Sequence, residues 1–210
     1  MSTDWTAWHE RYEDPRSSLS VRLGVVQGFI RDFLDSRFCL DSRVVSLCAG
    51  RGLDLLGVLP SHPAKGQVTA RLVELDAYLA SAARDIARDS GLTNIDVVVA
   101  DAGVTDAYIG AVPADLVIAC GVFGNISDDD VEVTVRAMPS FCVRGGTVIW
   151  TRHRYEPDLT PAIRHWFSEV GFAERAFTSP GVGSFAVGVH TLEGPGRALT
   201  VGQQLFTFTR

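Results

Sequence analysis

A chain of 210 residues is long enough for one substantial core and too short for two ordinary enzyme domains, so a single domain over residues 1–210 is expected. Hydrophobic residues make up 46% and charged residues 21%, a globular balance in which no apolar run approaches the roughly 18 residues of a membrane span. The first 20 residues lack the basic and apolar regions of a signal peptide, and the formal charge is −6 with no basic run, which argues against nucleic acid as a partner. A cytoplasmic protein without a membrane or nucleic-acid partner is the expectation.

The N-terminal stretch carries Trp5, Trp8, His9 and Tyr12 without a sustained period, and reads as a short helix or lid. From Leu19 apolar residues recur at Leu23, Val26, Ile30 and Phe33, one face of a helix running to about Asp35. Together they make residues 1–38 an N-terminal helical lid segment, with a core over 39–210. Five short apolar runs follow, beginning at Arg43, Thr69, Ile95, Ala114 and Thr147, each nearly continuous as a parallel strand buried on both faces requires. An alanine-rich helix ended by Gly91 lies between the second and third. Ser127 opens another between the fourth and fifth, with Asp128, Asp129 and Asp130 favouring its positive end. Pro161 suits the first turn of a last helix. "FAERAFT", "SFAVGVHTL" and "QLFTFTR" then alternate as strands, with an antiparallel pair expected at one edge. The pattern is a doubly wound α/β sheet.

The four cysteines, Cys39, Cys48, Cys120 and Cys142, are scattered within or beside apolar runs and lack metal-binding spacing. They read as small buried hydrophobes, and no metal site is expected.

In such a sheet ligands bind beyond the carboxyl ends of the strands near the switch point. The first strand ends in "CAGRG", where Gly50 and Gly52 leave backbone amides open to close approach beside the N-terminus of a helix expected, from helical apolar spacing, to start near Leu53. The second ends in Glu74, placed to accept hydrogen bonds from ribose hydroxyls; the third ends at Asp101, suited to an adenine amino group; the fourth ends in the small residues of "CGVFGN". An adenosine site follows. A dinucleotide fingerprint is incomplete, because Leu55 stands at the third glycine position and Asp54 puts negative charge where a pyrophosphate would lie. A phosphate-binding Walker loop is absent, the single lysine, Lys65, lying elsewhere. A phosphate-free sulfonium tolerates nearby acid where a dinucleotide does not.

The ordered set "VVSLCAGRG", "LVELD", "VVADA", "ADLVIACGVFGNI" and "RGGTVIWT" resembles the class I S-adenosylmethionine-dependent methyltransferases over roughly residues 20 to 192. The resemblance implies a seven-stranded sheet of order 3-2-1-4-5-7-6 with strand 7 antiparallel, and S-adenosyl-L-methionine as cofactor. It places Cys48, Ala49, Gly50 and Gly52 around the methionine and ribose, Glu74 on the ribose hydroxyls, Leu75 beside adenine, and Asp101 and Ala102 at the adenine edge. Cys120 and Gly121 fall by the methionine moiety and reacting methyl. Tyr12 and Arg22 are added as cofactor contacts from the lid, Arg22 toward the methionine carboxylate. Ser46 and Cys48 depart from the family's acidic residue and glycine, and Asp54 or lid groups are expected to compensate. The "NPPY"-type tetrapeptide of nucleic-acid amino methyltransferases is missing after the fourth strand.

His153, directly after the fifth strand, is the candidate proton acceptor, with His9 the second; Arg152 and Arg154 beside it read as solvated. His62, His165 and His190 read as structural or surface residues, and Asp76 as a helix cap. Methyl transfer to a small-molecule acceptor, at oxygen or nitrogen, is the leading expectation. A non-catalytic domain binding S-adenosylmethionine or S-adenosylhomocysteine, and an atypical NAD(P)-linked oxidoreductase, stay open.

Overall fold

The computed structural model describes residues 17–179 and 185–209; the lid residues Trp5, Trp8, His9 and Tyr12 lie outside them. Helix α1 (Ser18–Ser36) is capped by Ser17, whose hydroxyl accepts from the Ser20 N–H at 3.1 Å. Then come β1 (Ser42–Ser46), the single turn α2 (Leu53–Leu56), β2 (Val68–Glu74), α3 (Ala77–Asp89), β3 (Ile95–Val99), β4 (Ala114–Ala119) and α4 (Asp128–Ala137). The chain continues through β5 (Cys142–His153), α5 (Thr160–Glu169), β6 (Phe172–Thr178) and β7 (Phe185–Leu192). The seven strands form one sheet of order 3-2-1-4-5-7-6, parallel from β3 to β5, with β7 antiparallel to both β5 and β6.

Adjacent residues of the central strands serve opposite layers, which is why their sequences show little polar alternation. Val45, Val117, Val148 and Trp150 pack with Val131, Val135, Ile163 and Phe167 of α4 and α5. Val44, Leu116, Ile118 and Ile149 pack with Val26, Ile30 and Leu34 of α1 and Ala80, Ala83 and Ala87 of α3. The expected caps are present. Asp76 Oδ1 accepts from the Tyr78 and Leu79 N–H groups, and the Ser127 hydroxyl from that of Asp130.

Three expectations need correction. The helical spacing after Gly52 yields one α-turn before Gly57, then 3₁₀ turns at Leu59–Ser61 and Pro63–Gln67, because Pro60 and Pro63 cannot continue a hydrogen-bonded helix. "QLFTFTR" forms no sheet strand. Residues 193–209 run as a strap instead, meeting the fold through the isolated bridges Val104–Gln204 and Ile126–Phe208, with Leu205 and Phe206 in the core. Cys39 is exposed at φ 70°, unlike buried Cys120 and Cys142.

His190 is 1% exposed, accepts the Trp150 indole N–H at Nδ1 (3.1 Å) and stacks on Phe167. Burial pulls its pKa down to about 4, against the opposing charge of Glu174. The unfolded chain takes up this proton near pH 6.5 and the folded chain only near 4, so stability falls as pH drops through that window. Between pH 7 and 4.5 the expected loss is about 2 to 3 kcal/mol. Denaturant titrations of the parent and of His190→Gln check it; equal acid sensitivity in the two would contradict the assignment.

Candidate functional site

The tips of β1, β2, β3 and β4 meet at one end of the sheet. Beyond β1 the chain turns through Cys48 (φ 50°), Gly50 (φ 56°) and Gly52 (φ 71°). Cys48 thus holds a left-handed backbone at the position where the resembled family carries glycine, a conformation costing a non-glycine residue roughly 1 kcal/mol. Gly52 has a packing reason to be glycine. A Cβ there would come within 2.7 Å of Leu72 Cδ2 and 2.8 Å of Leu56 Cδ1, so its side-chain direction faces the core.

Glu74 ends β2 and is 9% exposed. Its Oε2 accepts from the Gly50 N–H at 2.7 Å and its Oε1 from the Asp76 N–H at 2.9 Å. Burial raises its pKa, while the N–H groups of Asp76 and Gly50 stabilise the ionised form. The carboxylate and the glycine turn, 24 residues apart, are therefore one unit. Beyond β3, Asp101 is exposed and accepts from the Gly103 N–H at 2.8 Å, a turn-capping bond. Ala102 is buried, its carbonyl accepting from the Tyr108 hydroxyl at 2.7 Å. The Cys48 thiol is pushed well up by burial, then by the charges of Glu74 and Asp101, the two carboxylates that stand at and just beyond the ends of the neighbouring parallel strands β2 and β3. Leu75, 67% exposed, lies beside them on the rim.

At the switch point between β1 and β4, Asp54 of α2 is pushed up to about 6 by burial, an effect the positive charge of Arg22 on α1 opposes. The buried Cys120 thiol feels both charges after its own desolvation. Arg22, Asp54 and Cys120 are therefore neighbours, and the Gln27 side chain ties α1 to α2 by donating to the Leu53 carbonyl at 2.9 Å. Gly121 (φ 76°) donates its N–H to Thr151 Oγ1 at 2.9 Å and accepts from the Asn125 amide at 2.6 Å, so its backbone is spent on shaping the loop.

A concavity of about 290 Å³ opens beyond the β4 and β5 tips, lined by Gly124, Asp128, Arg152, His153, Tyr155 and Glu156 among others. His153 stacks on Tyr155 with ring centroids 5.2 Å apart. Arg152 is not solvated as expected. Its side chain is 7% exposed and donates to the Phe123 carbonyl and, at 2.8 Å, to Asp128 Oδ1, clamping the loop after β4 to β5. Arg154 pairs with Asp158 at 2.9 Å. His62 accepts from the Ala64 N–H and faces Asp35, and His165 stands 3.3 Å from Glu169; neither adjoins the strand tips described above.

Sequence reasoning missed the strap. Leu205 N–H donates to the Gly103 carbonyl at 2.7 Å and Thr209 N–H to the Asn125 carbonyl at 2.9 Å, linking the loop that carries Asp101 to the loop that carries Gly121. Alternating residues signal extended backbone, but not that the extended segment binds loops in place of a strand edge. Thr151 and Asn125 were also unread, since a lone hydroxyl or amide gives no signal of its partner.

Among the described residues no group of three or more His, Cys, Asp and Glu side chains is placed to hold a metal ion, and no helix is long and apolar enough to cross a membrane. The chain adopts the class I S-adenosylmethionine-dependent methyltransferase fold. It is similar in structure to magnesium protoporphyrin IX methyltransferase (ChlM) from Synechocystis PCC 6803 solved with bound SAM, at 14% identity and TM-score 0.69, over 91% of this chain and 92% of that one. The CurJ carbon methyltransferase matches at 15% identity and TM-score 0.67, over 91% of this chain and 59% of that one. Fibrillarin, a pre-rRNA processing protein of Methanococcus jannaschii, matches at 17% identity and TM-score 0.56, over 73% and 67%. The sequence itself matches no family model and no curated protein.

Proposed function

We propose that the protein transfers a methyl group from S-adenosyl-L-methionine to a small-molecule acceptor. The observation that carries this reading is the unit formed by Glu74 and the Gly50 turn at the strand tips, supported by the charges of Glu74 and Asp101 acting on Cys48 and those of Asp54 and Arg22 acting on Cys120. The residues fit the cofactor. Glu74 would take the ribose hydroxyls, Asp101 and Ala102 the adenine edge, and Leu75 the adenine face. Cys48, Ala49, Gly50 and Gly52 would shape the backbone around the ribose and methionine, while Cys120 and Gly121 border the reacting methyl. An α-amino acid end presents an ammonium and a carboxylate, which match Asp54 and Arg22, so this pair would replace the acid missing at Ser46. Tyr12 belongs to the same proposal.

When bound, the cofactor supplies an electrophilic methyl on a sulfonium, displaced in line with a neutral thioether leaving. The chain's own work is alignment, exclusion of water and, for a hydroxyl acceptor, removal of a proton. His153 lines the cavity beyond the β4 loop and is the group proposed to accept that proton. ChlM and CurJ act on small molecules or carbon centres only as their own names state, and the fibrillarin likeness keeps RNA as a second acceptor class. The net charge of −6 disfavours it.

Asp54 gives the test. It must be ionised to receive an ammonium, and it protonates at about 6. Affinity for S-adenosylhomocysteine is therefore expected to fall as pH drops below about 6, by up to tenfold per pH unit, with Asp54→Asn binding more weakly and losing this pH dependence. Calorimetry from pH 5 to 8 reads both. A flat parent profile would remove Asp54 from the site, and stabilisation by NAD alone would overturn the cofactor.

A further inference from the structure

The cavity beyond β4 and β5 allows the acceptor class to be narrowed, an inference that rests on the methyltransferase reading above. We infer that it takes a planar aromatic acceptor of one or two rings, carrying hydroxyl or amino donors and no anionic group.

Size sets the first limit. About 290 Å³ lies at the lower end of small-molecule pockets, room for a compact ring system but not for an extended one. The wall supplies a ring face. Tyr155 is 63% exposed and stacks on His153 at 5.2 Å and 26°, leaving an aromatic platform of the kind that prefers another ring. Gly124 brings the loop backbone close to the His153 ring, since a Cβ there would lie 3.2 Å from His153 Cδ2.

Charge sets the second limit. The lining holds two carboxylates, half-exposed Asp128 and exposed Glu156, against one guanidinium. That guanidinium is committed: it donates to the Phe123 carbonyl and to Asp128, and its Nε is enclosed away from solvent. Asp129 and Asp130 add negative charge in the same helical turn as Asp128. An anionic acceptor would meet the unpaired charge of Glu156 beside the Arg152-paired Asp128, with no uncommitted guanidinium among the lining residues, whereas O–H or N–H donors find acceptor oxygens on both carboxylates. With a phenolic acceptor the oxygen lone pair forms the new bond to the methyl carbon, the carbon–sulfur pair leaves on sulfur, and the phenolic proton passes to His153.

A single ring system with varied substituents tests this. Equilibrium dialysis of the whole chain with naphthol, naphthylamine, naphthoate and naphthyl phosphate, substituted at one position, should show the two uncharged donors binding at least about tenfold more tightly than the two anions. Tyr155→Ala should lose about tenfold for naphthol while Tyr155→Phe keeps it, with S-adenosylhomocysteine affinity and thermal stability unchanged in both. Preference for an anion, no binding of the uncharged pair, or indifference to Tyr155→Ala would overturn the inference. S-adenosylhomocysteine binding, measured in parallel by calorimetry, is a separate readout: its absence would count against the methyltransferase reading, while the naphthyl series still decides the cavity's preference.

Discussion

Glu74→Ala is expected to weaken S-adenosylhomocysteine binding by about 1 to 3 kcal/mol for each ribose hydrogen bond lost to a charged acceptor, the largest functional effect of any single change. The loss has two sources that can be separated. The carboxylate holds the Gly50 N–H at 2.7 Å and the Asp76 N–H at 2.9 Å, so alanine also leaves these donors unpaired and loosens the glycine turn. Glu74→Gln keeps one acceptor oxygen and the side-chain volume but removes the charge. Calorimetry should therefore rank parent, glutamine and alanine in falling affinity. Equal affinity in all three would mean that the ribose lies elsewhere.

Gly188→Ala is expected to cost about 3 kcal/mol of stability, the upper range for overpacking. Gly188 of β7 lies directly across from Trp150 of β5, and a Cβ would meet the indole at 2.3 to 2.5 Å. The indole cannot retreat, because it is fully buried, lies 6.2 Å from Phe177 and donates to His190. Thermal denaturation should place the variant about 10 °C below the parent for a chain of this size. Trp150→Leu in the same chain should recover part of the difference, since it removes the clashing ring. An unchanged midpoint in Gly188→Ala would contradict the packing described. The consequence reaches the site, since Thr151, next to Trp150, fixes Gly121 through its hydroxyl.

The five parallel strands were legible because two buried faces force near-continuous apolar runs, as in "LVIA" of β4, and Glu74 and Asp101 because they sit where those runs end, while the strand order was available only through the family resemblance. The caps at Asp76 and Ser127 were legible for a similar reason, since their partners lie two or three residues away. Arg152 was misread because its partners, Phe123 and Asp128, are 29 and 24 residues distant, and nothing local marks an arginine that will be drawn inward. The strap was misread because alternation reports backbone extension and not the partner. Asp54 was legible as an acid near the glycine turn, while its proximity to Arg22 depends on how α1 packs over α2. The role of Cys48 had an indirect signal: a residue standing where the resembled family has glycine inherits the positive φ that glycine serves.

The most direct measurement is a crystal structure of the chain with S-adenosylhomocysteine. The account predicts adenosine between Glu74 and Asp101, the amino-acid end between Asp54 and Arg22, and the sulfur by Cys120 facing the cavity of His153 and Tyr155. Ligand bound on another face of the sheet, or an adenine ring turned away from Asp101 with Glu74 making no contact, would contradict it.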